Sequence, residues 1–166
     1  MWYVLQVSTG QESSVRDELQ KMNILALVPK ENRLIRKGGG WTHKEYTLFP
    51  SYVFLNLEYT AENYYRVKGV PHVIRFLGPS GLAPSRLTYL EAEWIKALAG
   101  TDGQPLEPTR VKELPDGTLR IVSGVLSNFA TRTIQYDKRT RRAKVEITVC
   151  GEPKTIQLSV EVVDGV

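Results

Sequence analysis

The apolar residues change their pattern once along the chain, at a stretch rich in proline and glycine over residues 100–117. Before this stretch, runs with the two-residue period of a strand alternate with runs that have the spacing of an amphipathic helix. After it, only short alternating runs remain, which is typical of a small barrel. We therefore predict an α+β domain over residues 1–100, a linker over 101–117 and a β-only domain over 118–166.

Local signals place the elements of the first domain. Trp2–Val7 is rich in aromatic and β-branched residues and predicts a strand. Thr9 and Thr88 each precede a glutamate by three residues, a capping-box spacing that predicts the start of a helix, and Thr60 predicts a third helix. Three glycines over 38–40 separate two extended polar runs, which indicates a hairpin. Helices covering one face of an antiparallel sheet would result.

Composition excludes several classes of protein. Hydrophobic residues make up 42 % and charged residues 24 % of the chain, as in an ordinary soluble protein. The single cysteine, Cys150, allows no internal disulfide, and two histidines are too few for an expected structural zinc site. No apolar run is long enough for a membrane span, and the N-terminus lacks a signal-peptide core. We expect a cytoplasmic monomer with no cofactor and no enzymatic activity.

The sharpest feature is a basic cluster over residues 132–144, with six basic side chains and one acidic side chain. Like charges at this density repel each other, and a polyanion would relieve that repulsion. Aromatic residues are nearly absent there, so a folded RNA hairpin fits better than unspecific single-strand binding. The predicted RNA-binding residues are Arg132, Lys138, Arg139, Arg141, Arg142 and Lys144, flanked by Asn128 and Lys154. A solvated basic loop is the alternative.

A second basic segment is the predicted hairpin over residues 32–47. It carries Arg33, Arg36, Lys37 and Lys44. These side chains could lie against DNA or against another part of a large assembly, because basic surfaces attract polyanions. The alternative is a solvated, charged hairpin.

Several short motifs occur in order over roughly residues 1–98. They are the opening Trp2-Tyr3-Val4 with Gly10-Gln11-Glu12, the central Leu48-Phe49-Pro50-Ser51-Tyr52-Val53, and Gly69-Val70-Pro71-His72-Val73 with Phe76-Leu77-Gly78. In this order they resemble the start, the central F-P-G-Y-V signature and a later segment of the N-terminal domain of the NusG family. Ser51 stands in place of the usual glycine of the signature. The resemblance implies a ferredoxin-like N-terminal domain.

The C-terminal part resembles the family's KOW module, which implies an SH3-like barrel. The matching residues are Gly124, Asp137, Arg142, Lys144, Val145 and Gly151. Three departures fall in this module: Val125-Leu126 after the glycine, Thr131 in place of the central glycine, and Cys150 in place of an aromatic residue. They favour a specialised antitermination paralogue of the LoaP or RfaH type.

The resemblance implies that an apolar concavity of the N-terminal sheet docks on the clamp helices of RNA polymerase. The residues that match that region are Tyr3, Phe49, Tyr52 and Phe54, although each could also be plain sheet core. We expect an elongation or antitermination factor that also holds a structured leader RNA. Two alternatives stay open: a housekeeping factor that recruits a ribosomal protein or Rho, and a KOW-type RNA-binding protein without polymerase contact.

Overall fold

In this computed structural model, the described part of the chain comprises residues 1–100 and 103–163, without the side chains of Leu34 and of residues 130–134. Its helices are α1 (Glu12–Lys21), α2 (Ala61–Lys68) and α3 (Tyr89–Leu98). Its strands are β1 (Trp2–Val7), β2 (Leu25–Leu27), β3 (Lys30–Lys37), β4 (Gly40–Thr47), β5 (Tyr52–Asn56), β6 (Val73–Phe76), β7 (Thr109–Glu113), β8 (Leu119–Ser123), β9 (Thr133–Asp137), β10 (Arg142–Val149) and β11 (Glu152–Val162). Two short 3₁₀ turns, separated by a kink at Phe129, lie within Val125–Arg132.

The first domain is built on a four-stranded antiparallel sheet with the order β2-β5-β1-β6. Two of the predicted helix starts are confirmed. The Thr60 hydroxyl accepts a hydrogen bond from the Asn63 amide at 3.1 Å, and Thr88 forms a complete capping box with Glu91. Strands β3 and β4 form the predicted hairpin, whose turn places Gly38 and Gly39 at positive φ. The predicted α+β class is confirmed.

The predicted capping box at Thr9 is wrong. Helix α1 begins at Glu12, and its N-cap residue Gln11 makes no side-chain capping bond. The Thr9 hydroxyl instead pairs with the Ser51 hydroxyl, while Glu12 Oε1 accepts the Ser51 amide at 3.0 Å. Thr9 and Glu12 have the spacing of a capping box, but both side chains bind Ser51, in the turn that precedes β5.

The second domain is a curled five-stranded sheet with the order β8-β7-β11-β10-β9, consistent with the predicted barrel. It begins earlier than predicted, because β7 lies within the stretch 101–117 that the sequence assigned to a linker. Strand β7 pairs in parallel with β11. Only Thr109 and Val111 of this strand are buried, too few to reveal a period among the surrounding prolines. Residues 101 and 102 of the predicted linker lie outside the described residues.

The segment between the domains is also paired. Leu106 exchanges backbone hydrogen bonds with β3: its carbonyl accepts the Asn32 amide at 2.7 Å, and its amide donates to the Lys30 carbonyl at 2.8 Å. The segment that leads into the barrel is therefore hydrogen-bonded to strand β3 of the hairpin. In the described residues, no helix has the length and apolar character needed to cross a bilayer.

The sheet of the first domain buries both of its faces, in two separate clusters. One face packs Leu5, Val15, Leu19 and Val67 beneath helices α1 and α2. The other face, with Val4 and Phe54, joins a cluster shared by helix α3 and the barrel, which contributes Val111, Leu126, Phe129, Val145, Ile147 and Leu158. The two domains are thus docked through a common apolar core.

Candidate functional site

The aromatic residues of the central motif lie between the two domains. Phe49 and Phe54 are 4 % and 0 % exposed, and their rings meet edge to face at 5.2 Å between centroids. Both belong to the cluster that the barrel completes. Tyr52 is half-buried at the rim, where the Lys154 ammonium lies 5.4 Å from its ring centroid. The apolar face that the resemblance assigns to a partner is covered by the chain's own second domain.

Tyr3 requires a correction, because it does not share this surface. It lies in the cluster under helices α1 and α2, where its ring contacts Tyr59 and Phe76 at 5.9 and 6.2 Å between centroids. Successive side chains of a strand point to opposite faces. In β1, Trp2 and Val4 therefore lie on the face covered by helix α3 and the barrel, whereas Tyr3 lies on the face covered by α1 and α2. The match to the family motif did not take into account that neighbouring residues of a strand lie on opposite faces.

Polar contacts cross the seam between the domains. Glu91 of α3 is 1 % exposed, and its Oε2 accepts the Gly151 amide of the β10–β11 turn at 3.0 Å. Glu31 of β3 is also 1 % exposed, and its Oε2 accepts the Ser159 amide of β11 at 3.0 Å. Arg33 donates from Nη2 to the Gln157 carbonyl at 3.0 Å. Two buried carboxylates and one guanidinium thus join the domains.

The two carboxylates experience opposite electrostatics. Burial raises the pKa of Glu31 above 4.5, although hydrogen bonds from Ser159 and Arg33 oppose that shift. For Glu91, burial also favours the protonated form, but hydrogen bonds from Thr148, Thr88 and Gly151 lower its pKa overall. The charged form of Glu91, in the capping box of α3, is therefore favoured at the seam. The charged form of Glu31 is disfavoured, because its hydrogen bonds do not fully replace the water lost on burial.

The tip of the β3–β4 hairpin contacts the basic turn between β9 and β10. The Arg141 guanidinium lies 4.3 Å from the centroid of the Trp41 ring, within the range of a cation–π interaction. Arg141 holds this position with a positive φ of 56°. One predicted RNA-binding arginine is therefore engaged with the first domain.

The remaining basic residues are divided among several environments. Lys138 binds the Glu113 carboxylate at 2.7 Å, Arg142 donates to the carbonyls of Thr140 and Arg141, and Arg139 and Lys144 are exposed. The Arg132 side chain lies outside the described residues. Asn128 is exposed in the 3₁₀ segment and donates to the Val125 carbonyl at 3.2 Å.

Lys154 does not flank the basic turn as predicted. It pairs with Ile147 in the β10–β11 register, whereas Arg142 pairs with Ser159. Five residues of strand, at about 3.4 Å each, separate these two positions. Lys154 therefore lies near the opposite end of β10, beside Tyr52.

On the hairpin itself, Arg36, Lys37 and Lys44 are exposed, so the predicted DNA contact stays a prediction for them. Sequence reasoning did not identify Trp41, Glu31 or Glu91 as interdomain residues. Glu91 was visible only as part of a capping box, and nothing in the local pattern of Trp41 or Glu31 distinguishes a domain seam from a solvent-exposed hairpin.

Comparisons with known proteins agree with this architecture. A family model described as the transcription termination factor NusG matches residues 1–98. The transcription termination/antitermination protein NusG of Pseudomonas aeruginosa is 27 % identical, covering 99 % of this chain and 98 % of its own. The protein of the same name from Bacillus subtilis is 28 % identical, covering 98 % and 97 %.

A solved structure described as "Domain interaction in Thermotoga maritima NusG" has a similar fold. It aligns with a TM-score of 0.56 at 24 % identity, over 95 % of this chain and 92 % of that one. The family match covers more than half of the chain and includes both the covered apolar face and the docking helix α3. The chain therefore belongs to the NusG family, whose members are transcription termination and antitermination factors rather than enzymes.

Proposed function

We propose that this chain is a specialised elongation and antitermination factor of the LoaP or RfaH type. Its N-terminal domain binds the clamp helices of RNA polymerase, and its barrel holds a structured leader RNA hairpin. The protein acts as a cytoplasmic monomer and performs no chemistry. It promotes processive transcription by favouring the closed form of the polymerase.

The observation that carries the polymerase contact is the apolar face around Phe49 and Phe54. A continuous apolar face on a small domain has to be covered, and here a second domain covers it. Polymerase binding at this face requires the barrel to leave. The measured affinity then equals the intrinsic affinity reduced by the fraction of molecules whose face is open.

The RNA contact is supported by the surface that stays accessible when the domains are docked. Arg139 and Lys144 are exposed on the basic turn and on β10. The Asp137 carboxylate accepts hydrogen bonds from the backbone amides of Arg139 and Thr140, and it offsets only part of the positive charge of this turn. Each phosphate neutralised contributes about −0.7 to −0.9 to the slope of log K against log salt.

The test uses the full chain, because β7 forms part of the barrel and a fragment over residues 118–166 would lack it. Binding of a folded RNA hairpin pool and of single-stranded RNA is measured over a range of salt. We expect hairpin-selective binding that Arg139→Gln weakens, whereas Lys21→Gln, the same charge change on helix α1, leaves it unchanged. Weak, unselective binding that neither change affects would contradict the RNA contact.

A second arm measures binding to purified core RNA polymerase. We expect stable binding that Tyr52→Ala weakens, because the loss of an aromatic ring from the binding face outweighs the loss of its contact with Lys154 of the barrel. No polymerase binding would favour the RNA-binding alternative. Tight binding of a ribosomal protein or Rho, together with no RNA binding, would favour the housekeeping alternative.

A further inference from the structure

A cleft lies where strand β3 of the hairpin meets strands β9 to β11 of the barrel. Its volume is about 390 Å³, whereas a water molecule in the liquid takes up about 30 Å³. The cleft can therefore admit a phosphate group together with several waters. The lining side chains that matter for binding are Arg33, Gln135, Thr140, Arg142, Lys144 and Gln157.

The barrel side of the cleft is set by strand register. Lys144 of β10 is paired with Gln157 of β11 on one side and with Gln135 of β9 on the other. Its neighbours Ala143 and Val145 are buried, so the Lys144 side chain lies on the outer face. Lys144 is exposed, and among the described residues its ammonium has no carboxylate partner. An ammonium flanked by two amide side chains lines the cleft.

Among the described residues, Arg33 is the one lining residue that the N-terminal domain supplies. Its Nε donates to Glu31 at 2.7 Å and its Nη2 donates to the Gln157 carbonyl at 3.0 Å. The guanidinium lies 4.6 Å from the centroid of the Tyr46 ring, which fixes its plane. Within the described part of the chain Nη1 has no hydrogen-bond partner, so the guanidinium retains donor capacity at the cleft.

The local charge favours an anion. Arg33, Arg142 and Lys144 are three cations, and Glu31 and Asp137 are two carboxylates, which leaves a surplus of one positive charge. Both oxygens of Glu31 are already hydrogen-bonded. The pKa of Arg142 is lowered, first by burial and second by the nearby Arg33, while Glu31 opposes the shift. The contribution of Arg33 reflects the mutual repulsion of the two guanidinium groups. A bound anion would relieve it.

We infer that this cleft binds a phosphate group, held between Arg33 of one domain and Lys144 with Arg142 of the other. Two sources share this chemistry: a phosphodiester of a nucleic acid, and a free polyphosphate. The site goes beyond the proposed RNA hairpin contact because it includes a side chain of the N-terminal domain. Since Arg33 completes it only when the domains are docked, a bound phosphate stabilises the docked arrangement.

The test titrates the full chain with tripolyphosphate and measures heat of binding. We expect Arg33→Gln and Lys144→Gln each to weaken binding about tenfold, since each removes one charge-assisted hydrogen bond. The matched control is Lys37→Gln, the same charge change on an exposed residue of the same hairpin, and it should leave binding nearly unchanged. Lys144→Gln separates binding from folding, because the Lys144 side chain is exposed and forms no ion pair with the described residues.

Two further readouts complete the test. At a fixed concentration of about ten times the wild-type dissociation constant, tripolyphosphate should raise the thermal unfolding midpoint of the wild type clearly more than that of the Arg33→Gln and Lys144→Gln variants. Competition by an oligonucleotide without a terminal phosphate would identify the phosphodiester as the source, and its absence would identify a free polyphosphate. No measurable tripolyphosphate binding, or an equal loss in all three variants, would overturn the site while leaving the proposed RNA hairpin contact untouched.

Discussion

The two faces of the N-terminal sheet are both buried, but by covers of different kinds. Helices α1 and α2 cover the face of Leu5 and Leu55 and belong to the same domain. The face of Val4 and Phe54 is covered by α3 and by the barrel. Only the second cover is fastened through buried polar groups of both domains, such as Glu91 with Gly151. Such pairs define an arrangement but add little net stability, and we therefore expect the barrel to be the cover that detaches.

The largest expected effect is on the face covered by the helices. Leu19 is 0 % exposed, and Leu19→Ala should cost about 2–5 kcal/mol of unfolding free energy through lost burial and a cavity. Urea unfolding measures this, with Leu25→Ala at an exposed position as the control. The folded fraction of the Leu19→Ala variant should bind polymerase as the wild type does. A higher polymerase affinity of the Leu19→Ala variant would contradict the claim that only the face covered by the barrel binds polymerase.

A smaller effect is expected at the seam of the barrel. Trp41→Ala removes the ring beneath Arg141 and should weaken docking by about 1 kcal/mol. The open fraction then rises about fivefold, and the apparent affinity for polymerase rises by up to the same factor. Biolayer interferometry with core polymerase measures this. Trp41→Phe keeps a ring and should behave nearly as the wild type does. Equal affinity of the wild type and both variants would show that the contact of Trp41 with Arg141 does not limit polymerase binding.

The smallest effect concerns pH at Glu31. Because burial raises its pKa in the docked state, its stabilising contribution is full below its ordinary pKa of 4.5 and is lost as pH rises through the raised value. The stability of the wild type relative to Glu31→Gln should therefore fall as the pH rises from about pH 4 to about pH 7. Thermal unfolding over that range measures it. A stability of the wild type, relative to Glu31→Gln, that increases with pH would contradict the raised pKa of Glu31.

Much of the first domain could be predicted because its signals are local. Strand alternation in β1 and the threonine caps of α2 and α3 depend on neighbouring residues only. Strand β7 escaped detection because it buries just Thr109 and Val111. Its pairing with β11 joins residues about fifty positions apart, which no local pattern reveals.

The docked arrangement could not be predicted for a different reason. Phe54 and Val145 have the pattern of core residues whether a helix or another domain covers them. The resemblance to the family placed Tyr3 and Phe49 on one binding surface. It matches residues by their position in the sequence and does not show on which face of the sheet each side chain lies. The positive charge of the basic cluster is evident from its residues alone, but the pairing of Lys138 with Glu113 and of Arg141 with Trp41 depends on the tertiary fold.

The central claim is that polymerase takes the place of the barrel on the apolar face, and Cys150 can report it. Its Sγ lies 3.8 Å from the Ser85 carbonyl of the first domain, and burial together with Glu91 raises the pKa of this thiol from 9.0 to about 11. The most direct measurement is the alkylation rate of Cys150, followed by mass spectrometry, with and without core polymerase. Release of the barrel should raise the thiolate fraction, and with it the rate, by up to about a hundredfold. Stable polymerase binding with an unchanged rate would show that the barrel stays docked and would contradict the account.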